Sequence, residues 1–407
     1  MKVYIGIDWS QNKHDLCFLN QAGAHLAQLI IPHTPAGFWK IDETRKKLGV
    51  GIDACQIGLE TAHNILLDFL WDQGYSQVFV LHPKMVKSSR GRFRSSAARD
   101  DTSDALLIAD ILRTDQGLLR AWQPDTSLTR QIRSRIKYTQ FLTTEIVRLT
   151  NRQRAVLLRY YPVVLDLFSS LNTLITQHFI REYPTPQAAA RLSRDEFENF
   201  LKKHRYPKKG LSPRILAQLQ QPYPKAAAGV IEACYPEAQS LARMLLEMIS
   251  AKKKMLKELG HLFNQHPDHE VYASLPGTGA FLQPALLSKF GDDRARFPTA
   301  GCVQALAGTS PVTISSGKRR RVQFRHSCDH EFRHIAQQWA KSSLRTSIWA
   351  NAYYTSIRPH CESESHAFRC LANRWLAILW RLWQDCMLYD ETYHLRQRTL
   401  RSQPRIT

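Results

Sequence analysis

Asp8 follows the apolar run Val3-Tyr4-Ile5-Gly6-Ile7, which reads as a buried strand. A carboxylate at the end of such a strand is costly unless something pairs with it. Three more acids share that placement at element ends. Glu60 closes the strand-like IDACQIGL (52–59), and Asp101 and Asp104 stand three apart in DDTSDALLIAD, on one side of a helix near its N-terminus. Converging at a sheet edge, four carboxylates would repel one another unless a divalent cation relieved them. Hard oxygen donors suit Mg²⁺, and two ions about 4 Å apart can clamp the attacking and leaving oxygens of a phosphodiester. Each acid also has a plain structural reading: Asp101 and Asp104 favour a helix N-terminus, Asp8 suits a turn, and Glu60 suits solvent. Asp15, Asp53, Asp100 and Asp110 compete for the same roles.

The elements that would position these acids follow from patterning. Residues 2–7, 14–19 and 26–31 read as a three-strand meander. A helix over 35–48 begins with Pro at its first position. The strand 52–59, a helix over 63–73, a strand over 76–81 and an amphipathic helix over 101–113 complete an alternation that predicts an α/β layer fold. Beyond residue 125 the pattern changes. Residues 127–160 and 236–264 have long helical periodicity and suit an antiparallel, coiled-coil-like pair. Between them, 165–230 holds short helices with Pro-rich breaks. The last region opens with VYASLPGTGAFLQPALLSKFGD, whose glycines suit a helix-hairpin-helix turn near phosphate or an ordinary turn. Residues 328–393 read as helical, with Trp and Tyr at core spacing. The expected domains are 1–125, 126–265 with the insertion 165–230, and 266–407.

Charge points to the partner. The 407 residues carry 56 Lys and Arg against 35 Asp and Glu, a net +21, which argues for a polyanion. The charge is clustered: 83–99 holds six basic residues and no acid, 130–159 holds eight against Glu145 alone, and 318–325 reads KRRRVQFR. The candidates for backbone contact are Lys84, Lys87, Arg90, Arg92, Arg94, Arg133, Lys137, Arg152, Lys318, Arg319, Arg320 and Arg321. The eight cysteines are dispersed, form no C-x-x-C and read as reduced cytosolic thiols. His326, Cys328, His330 and His334, completed by Cys361 or Cys370, fit no standard zinc spacing. No signal peptide and no membrane span is expected.

With these motifs in place, the chain resembles a known family. GIDWSQNKHD, the Glu of IGLE and DDTSDA at the head of a helix look like the Asp-Glu-Asp-Asp, RuvC-like domain of the bridge-RNA-guided insertion-sequence transposases, the serine-and-DEDD recombinases. SLPGTGAFLQPALLSKFGD and RFPTAGCVQALAGTSPVTISSGKRRRVQFR look like that family's C-terminal transposase domain. The resemblance covers most of the chain, least clearly 165–230 and the tail. It implies an RNase H-like (RuvC-like) N-terminal domain, a long helical middle and a mostly α C-terminal domain. By motif match, Asp8, Glu60, Asp101 and Asp104 would carry the metal. It also implies a serine nucleophile between Pro311 and Gly317, at Ser316 or its neighbour Ser315. Serine would attack DNA with Mg²⁺ assistance and form a covalent link that preserves the phosphodiester. Target and donor DNA, a noncoding bridge RNA that delegates sequence choice to base pairing, and a homo-oligomer (dimer or tetramer) are the implied partners, in the cytoplasm with the nucleoid. The alternatives are a RuvC-like junction nuclease that uses water, and a nucleic-acid-binding protein without catalysis.

Overall fold

The structure, a computed structural model, describes residues 1–60, 65–92, 101–206, 212–221, 226–317 and 319–402; at Arg92, Asp101, Thr102, Ser212 and residues 397–402 it describes the backbone alone. The chain divides into two compact units, Met1–Pro124 and Asp125–Thr407. The first is a mixed α/β sheet unit and the second is largely helical.

In the first unit, β1 (Val3–Trp9), β2 (Lys13–Asn20) and β3 (His25–Pro32) form the expected antiparallel meander. Helix α1 (Pro35–Lys47) starts where Thr34 Oγ1 accepts from Gly37 N, with Pro35 at the first helical position. Strand β4 (Cys55–Leu59) follows a short 3₁₀ turn at Ile52–Ala54, so the strand is shorter than the sequence suggests. Then come α2 (Ile65–Asp72), β5 (Val78–Val80), α3 (Pro83–Ser89) and α4 (Asp101–Asp115). The sheet order is β3-β2-β1-β4-β5, with β4 parallel to both β1 and β5. Ile5, Ile7, Leu16, Phe18, Ile57, Leu59 and Leu70 pack its core.

Helix α4 lies on the sheet where two glycines are paired in register, Gly6 with Gly58. A Cβ on Gly6 would stand 2.0 Å from the Ala105 carbonyl oxygen and 2.5 Å from Ala109 N, and one on Gly58 would stand 2.7 Å from Leu112 Cδ1. The absent side chains let the helix backbone reach the sheet.

The second unit is built on α5 (Ser127–Tyr160). A module of short helices follows: α6 (Leu174–Glu182), α7 (Pro186–Ala190), α8 (Arg194–Lys203) and α9 (Ser212–Gln220). Helix α10 (Ala228–Asn264) returns alongside α5. The pair is antiparallel, for Arg152 meets Glu237 and Arg135 meets Glu258. The buried residues of α5, Ile132, Ile136, Thr139, Leu142, Ile146, Leu149, Gln153 and Val156, recur at threes and fours, as a coiled-coil seam requires. Helix α10 begins eight residues before the expected start at Pro236 and runs through that proline. Burial of Ile231, Cys234 and Ala238 on one face offsets an interior proline's cost of about 3 kcal/mol.

The remaining elements are α11 (His269–Ala273), α12 (Leu282–Phe290), α13 (Ala300–Leu306), the hairpin β6 (Val312–Ser316) and β7 (Arg319–Gln323), α14 (His330–Ser343), α15 (Ile348–Ile357), α16 (Glu364–Asp385) and α17 (Glu391–Ser402). Trp339, Trp375 and Trp383 are fully buried and Trp349 nearly so. Trp375 is the hub, 4.8 Å from Trp339 and 4.6 Å from Trp349 between ring centroids. The turn at SLPGTG serves packing: Gly277 has φ +74°, its added Cβ would meet Ser343 N at 2.6 Å, and its carbonyl accepts from Ser342 Oγ at 2.7 Å. That glycine therefore admits the end of α14. The foot of α5 is tied to the end of α12 by Asp292, whose carboxylate accepts from Thr126 N, at 2.6 Å, and from Thr129 Oγ1, also at 2.6 Å. Those bonds and His266 draw the Asp292 carboxyl well below the usual carboxylate range, against burial, which pushes it up.

Candidate functional site

Strand register fixes the first two acids. Ile7 is paired with Leu59 across the parallel strands β1 and β4, so Asp8 and Glu60 come next, side by side at the carboxyl edge of the sheet. Side chains alternate along a strand. Asp8 and Glu60 therefore share the face of Gly6 and Gly58, the face that α4 covers. Asp104, in the first turn of α4, reaches the same edge. Burial raises the pKa of half-buried Glu60, the negative charge of Asp104 raises it further, and Arg90 opposes both. Arg90 donates to Asp104 Oδ2 at 2.7 Å. Asp101 opens α4, and its side chain lies outside the described residues.

The rival acids separate on position. Asp110 is held by Arg113 at 2.6 Å. Asp53 is exposed ahead of β4, at the opposite end of the strand from Glu60. Asp100 lies outside the described residues. Of the rivals, Asp15, on β2, stands nearest to Asp8. It is 3% exposed, stands directly across from Asp8 in the β1–β2 pair, and has Lys13 at 3.6 Å. The signal was available, since a hairpin register that closes on SQNK sets Asp15 opposite Asp8.

The other expected residues are dispersed over both units. Lys84 and Lys87 are exposed on α3, and Arg90 is engaged with Asp104. Arg92 is described in its backbone alone, and Arg94 and Lys318 lie outside the described residues. On α5, Lys137 is exposed and Arg152 pairs with Glu237 at 2.6 Å. Arg133 turns inward, donating to Asp125 Oδ2 at 2.5 Å and to the Ser288 carbonyl at 3.0 Å. Ser315 and Ser316 sit on β6, across from Arg320 and Arg319, and Arg321 completes an exposed basic strand. Among the described residues neither serine hydroxyl has a hydrogen-bonded base.

Two groups of described side chains could hold a metal ion: His178 with Glu182 and His204, and Cys361 with His366 and Cys370. Of the four residues considered for zinc in the sequence, Cys328 and His330 are in contact, Sγ to Nδ1 at 3.9 Å, and the others are engaged elsewhere. Cys328 receives Arg333 Nη2 at 2.6 Å, His334 meets Gln338, and His326 packs on Phe324.

Comparison with known proteins fits this geometry. Residues 5–162 match a family model described as a transposase, of the DEDD type of IS110. Residues 269–355 match the model "Transposase IS116/IS110/IS902 family". The chain is 29% identical over 398 residues to "Mini-circle putative transposase for IS117" of Streptomyces coelicolor, covering 96% of each chain. It is 23% identical over 397 residues to "Insertion element IS900 uncharacterized 42 kDa protein" of Mycobacterium paratuberculosis, covering 95% of this chain and 97% of the other. These findings correct the serine reading. The model that matches residues 5–162 is of the DEDD type, the described residues include groups able to hold a metal ion, and Ser315 and Ser316 stand exposed with no hydrogen-bonded base among the described residues. A RuvC-like nuclease that uses metal and water, the alternative weighed from the sequence, fits better than serine attack. The chain belongs to the IS110/IS902 transposases, enzymes that cut and join DNA, and carries a DEDD-type, RuvC-like domain.

Proposed function

We propose that DNA strands are cut at the carboxyl edge of the sheet, with Asp8, Glu60, Asp101 and Asp104 holding divalent metal and water as the nucleophile. The observation that carries this is the meeting of Glu60 and Asp104 beside Asp8, with Glu60 raised by burial and by its neighbour's charge. The donors are all carboxylate oxygens, which fit a hard cation such as Mg²⁺, in one or two sites. A bound divalent ion would supply Lewis acidity toward the scissile phosphate and stabilise the charge that develops there. The chain's own part is to fix the edge. Gly6 and Gly58 let α4 approach, which delivers Asp104 to Glu60, and Arg90 holds Asp104 in one orientation. The sheet order, with one antiparallel meander and parallel strands β1, β4 and β5, supports an RNase H-like assignment.

The net charge of +21 and the exposed residues Lys84, Lys87, Lys137, Arg319, Arg320 and Arg321 support long backbone contact with DNA, and with a noncoding RNA as the second nucleic-acid partner. Exposed Tyr138, Phe141 and Val147 on α5 and Met244 on α10 support a homo-oligomer. This reading places the enzyme in the cytoplasm, at the nucleoid. Among the described residues, no helix is long and apolar enough to cross a membrane.

The test uses the full chain, a plasmid bearing the DNA that flanks its coding sequence, RNA transcribed from that flank, and Mg²⁺. Asp8→Asn, Glu60→Gln and Asp104→Asn should each abolish strand cleavage, and the Ser315→Ala/Ser316→Ala double variant should retain it. A protein–DNA adduct, or loss of cleavage in the serine variant alone, would overturn the proposal.

A further inference from the structure

Three side chains of the second unit form a different kind of donor set. Cys361, His366 and Cys370 are half-buried, and their ligand atoms all lie within 4.8 Å of one another. Both cysteines are free thiols. Among the described residues, the His366 ring has no hydrogen-bond partner.

The local fold explains why the three meet. Arg358–His360 form a 3₁₀ turn, from which Cys361 emerges in extended conformation. Its N–H donates to the Arg358 carbonyl at 3.2 Å, and Arg358 Nη1 donates back to the Cys361 carbonyl at 3.3 Å. Ser363 then caps α16, its Oγ accepting from His366 N at 3.1 Å. His366 and Cys370 are four residues apart, hence one turn apart on one helix face. Ala367, Phe368 and Leu371 of the same helix are buried, which fixes its rotation. Two donors therefore come from a locked helix and the third from a pinned turn.

We propose that Cys361, His366 and Cys370 form a zinc site, with the fourth position open to water or an exogenous ligand. Thiolate and imidazole are the donors zinc prefers, whereas Mg²⁺ takes oxygen. Zinc–sulfur bonds of about 2.3 Å and zinc–nitrogen bonds of about 2.0 Å set tetrahedral donors about 3.5–3.8 Å apart, so the observed set closes on an ion with side-chain adjustments alone. The ion would tie the turn after α15 to the start of α16. The other candidate group is weaker: Glu182 is already paired with Lys203, at 3.1 Å, and hydrogen-bonded to His204, at 2.9 Å, and the rings of His178 and His204 stack at 3.9 Å between centroids. This inference is independent of the acids at the sheet edge.

The full chain, purified without chelator and dialysed against trace zinc, should carry about one zinc per chain by elemental analysis. The Cys361→Ser/Cys370→Ser double variant should fall to background, and a His178→Gln/His204→Gln variant should keep its zinc. Cobalt loaded into the unaltered full chain should show an intense near-ultraviolet thiolate-to-cobalt band, a readout that needs no variant to fold. Zinc retained by the cysteine variant, zinc lost with the histidine variant, an unaltered chain that takes no zinc and shows no thiolate band, or an intact mass two hydrogens light from a Cys361–Cys370 disulfide would each overturn the proposal.

Discussion

The two units assemble chemistry by different rules. In Met1–Pro124, residues distant in sequence are brought together by strand register: Asp8 and Glu60 are neighbours because Ile7 and Leu59 are paired. In Asp125–Thr407, Cys361, His366 and Cys370 are near in sequence and meet through one turn and one helix face. A sheet edge collects like charges that only a cation reconciles; a capped helix start collects neutral, softer donors. The largest expected effect tests this contrast directly. Asp8→Asn or Glu60→Gln should lower DNA cleavage by about 10²–10³-fold or more, with little loss of thermal stability, because each removes a carboxylate that its neighbours repel. Cys361→Ser should do the reverse, reducing stability with cleavage largely kept. Paired cleavage and melting measurements on the same preparations would decide it, and the contrast fails if both changes move the same quantity.

The next effects concern what holds each unit. Trp375→Ala should cost about 3–5 kcal/mol in urea unfolding, since the indole is fully buried between Trp339 and Trp349. Gly6→Ala should cost about 1–3 kcal/mol by forcing α4 off the sheet. It should also reduce cleavage, because Asp104 moves with the helix. Gly49→Ala gives the control: its φ is +65° but an added Cβ meets nothing within 4 Å, so only backbone strain is introduced and cleavage should be kept. A Gly6→Ala protein with full activity would detach the acids from α4.

These differences also explain what the sequence could tell. The meander and α4 were legible because alternation and helical periodicity are strong where one face is buried, and Asp8, Glu60 and Asp104 stand at the ends of those patterns. The hairpin β6–β7 was not legible. Its residues are exposed nearly throughout, so no two-residue burial pattern marks it, and KRRRVQFR reads only as charge. The start of α10 was misplaced because Pro236 looks like a first helical residue, and tertiary burial of Ile231 and Cys234 overrode that signal. The Cys and His group escaped because C-x₄-H-x₃-C matches no common zinc spacing; its coherence depends on the turn at Arg358–His360, which periodicity does not reveal.

Acid should weaken both units through one histidine each. Burial, helped by His33, pulls His14 down to about 4, and burial, helped by His204, pulls His178 down to about 4. The unfolded chain binds these protons near pH 6.5. Between about pH 6.5 and 4 it therefore holds more protons than the folded chain, so stability falls as pH falls through that window. His14→Gln should flatten the profile for the first unit and leave the share of the second, and His178→Gln should do the opposite. Urea midpoints measured across the window would show it; a wild-type midpoint that does not drop toward pH 4 would refute both assignments.

The smallest effect separates two arginines on one helix. Arg133 and Arg152 both belong to the basic tract of α5, and composition treats them alike. Arg133 is partly buried and bonded to Asp125 and to the Ser288 carbonyl. Removing it leaves Asp125 without its cation and a carbonyl without its donor, a loss of about 1.5–3 kcal/mol for bonds to a charged group. Arg152 is well exposed and faces Glu237 across the helix pair, a contact that water and salt readily replace. Arg152→Ala should therefore leave the urea midpoint unchanged. If nucleic acid runs along α5, Arg152→Ala should lower the slope of log K against log salt by about 1, because one fewer phosphate is neutralised. Arg133→Ala should leave that slope alone, since its charge is already spent inside the unit. The opposite pattern, a slope change at Arg133 with stability intact, would mean that the basic face of α5 points through the clamp at Asp125, and the nucleic-acid path would have to be redrawn along α12.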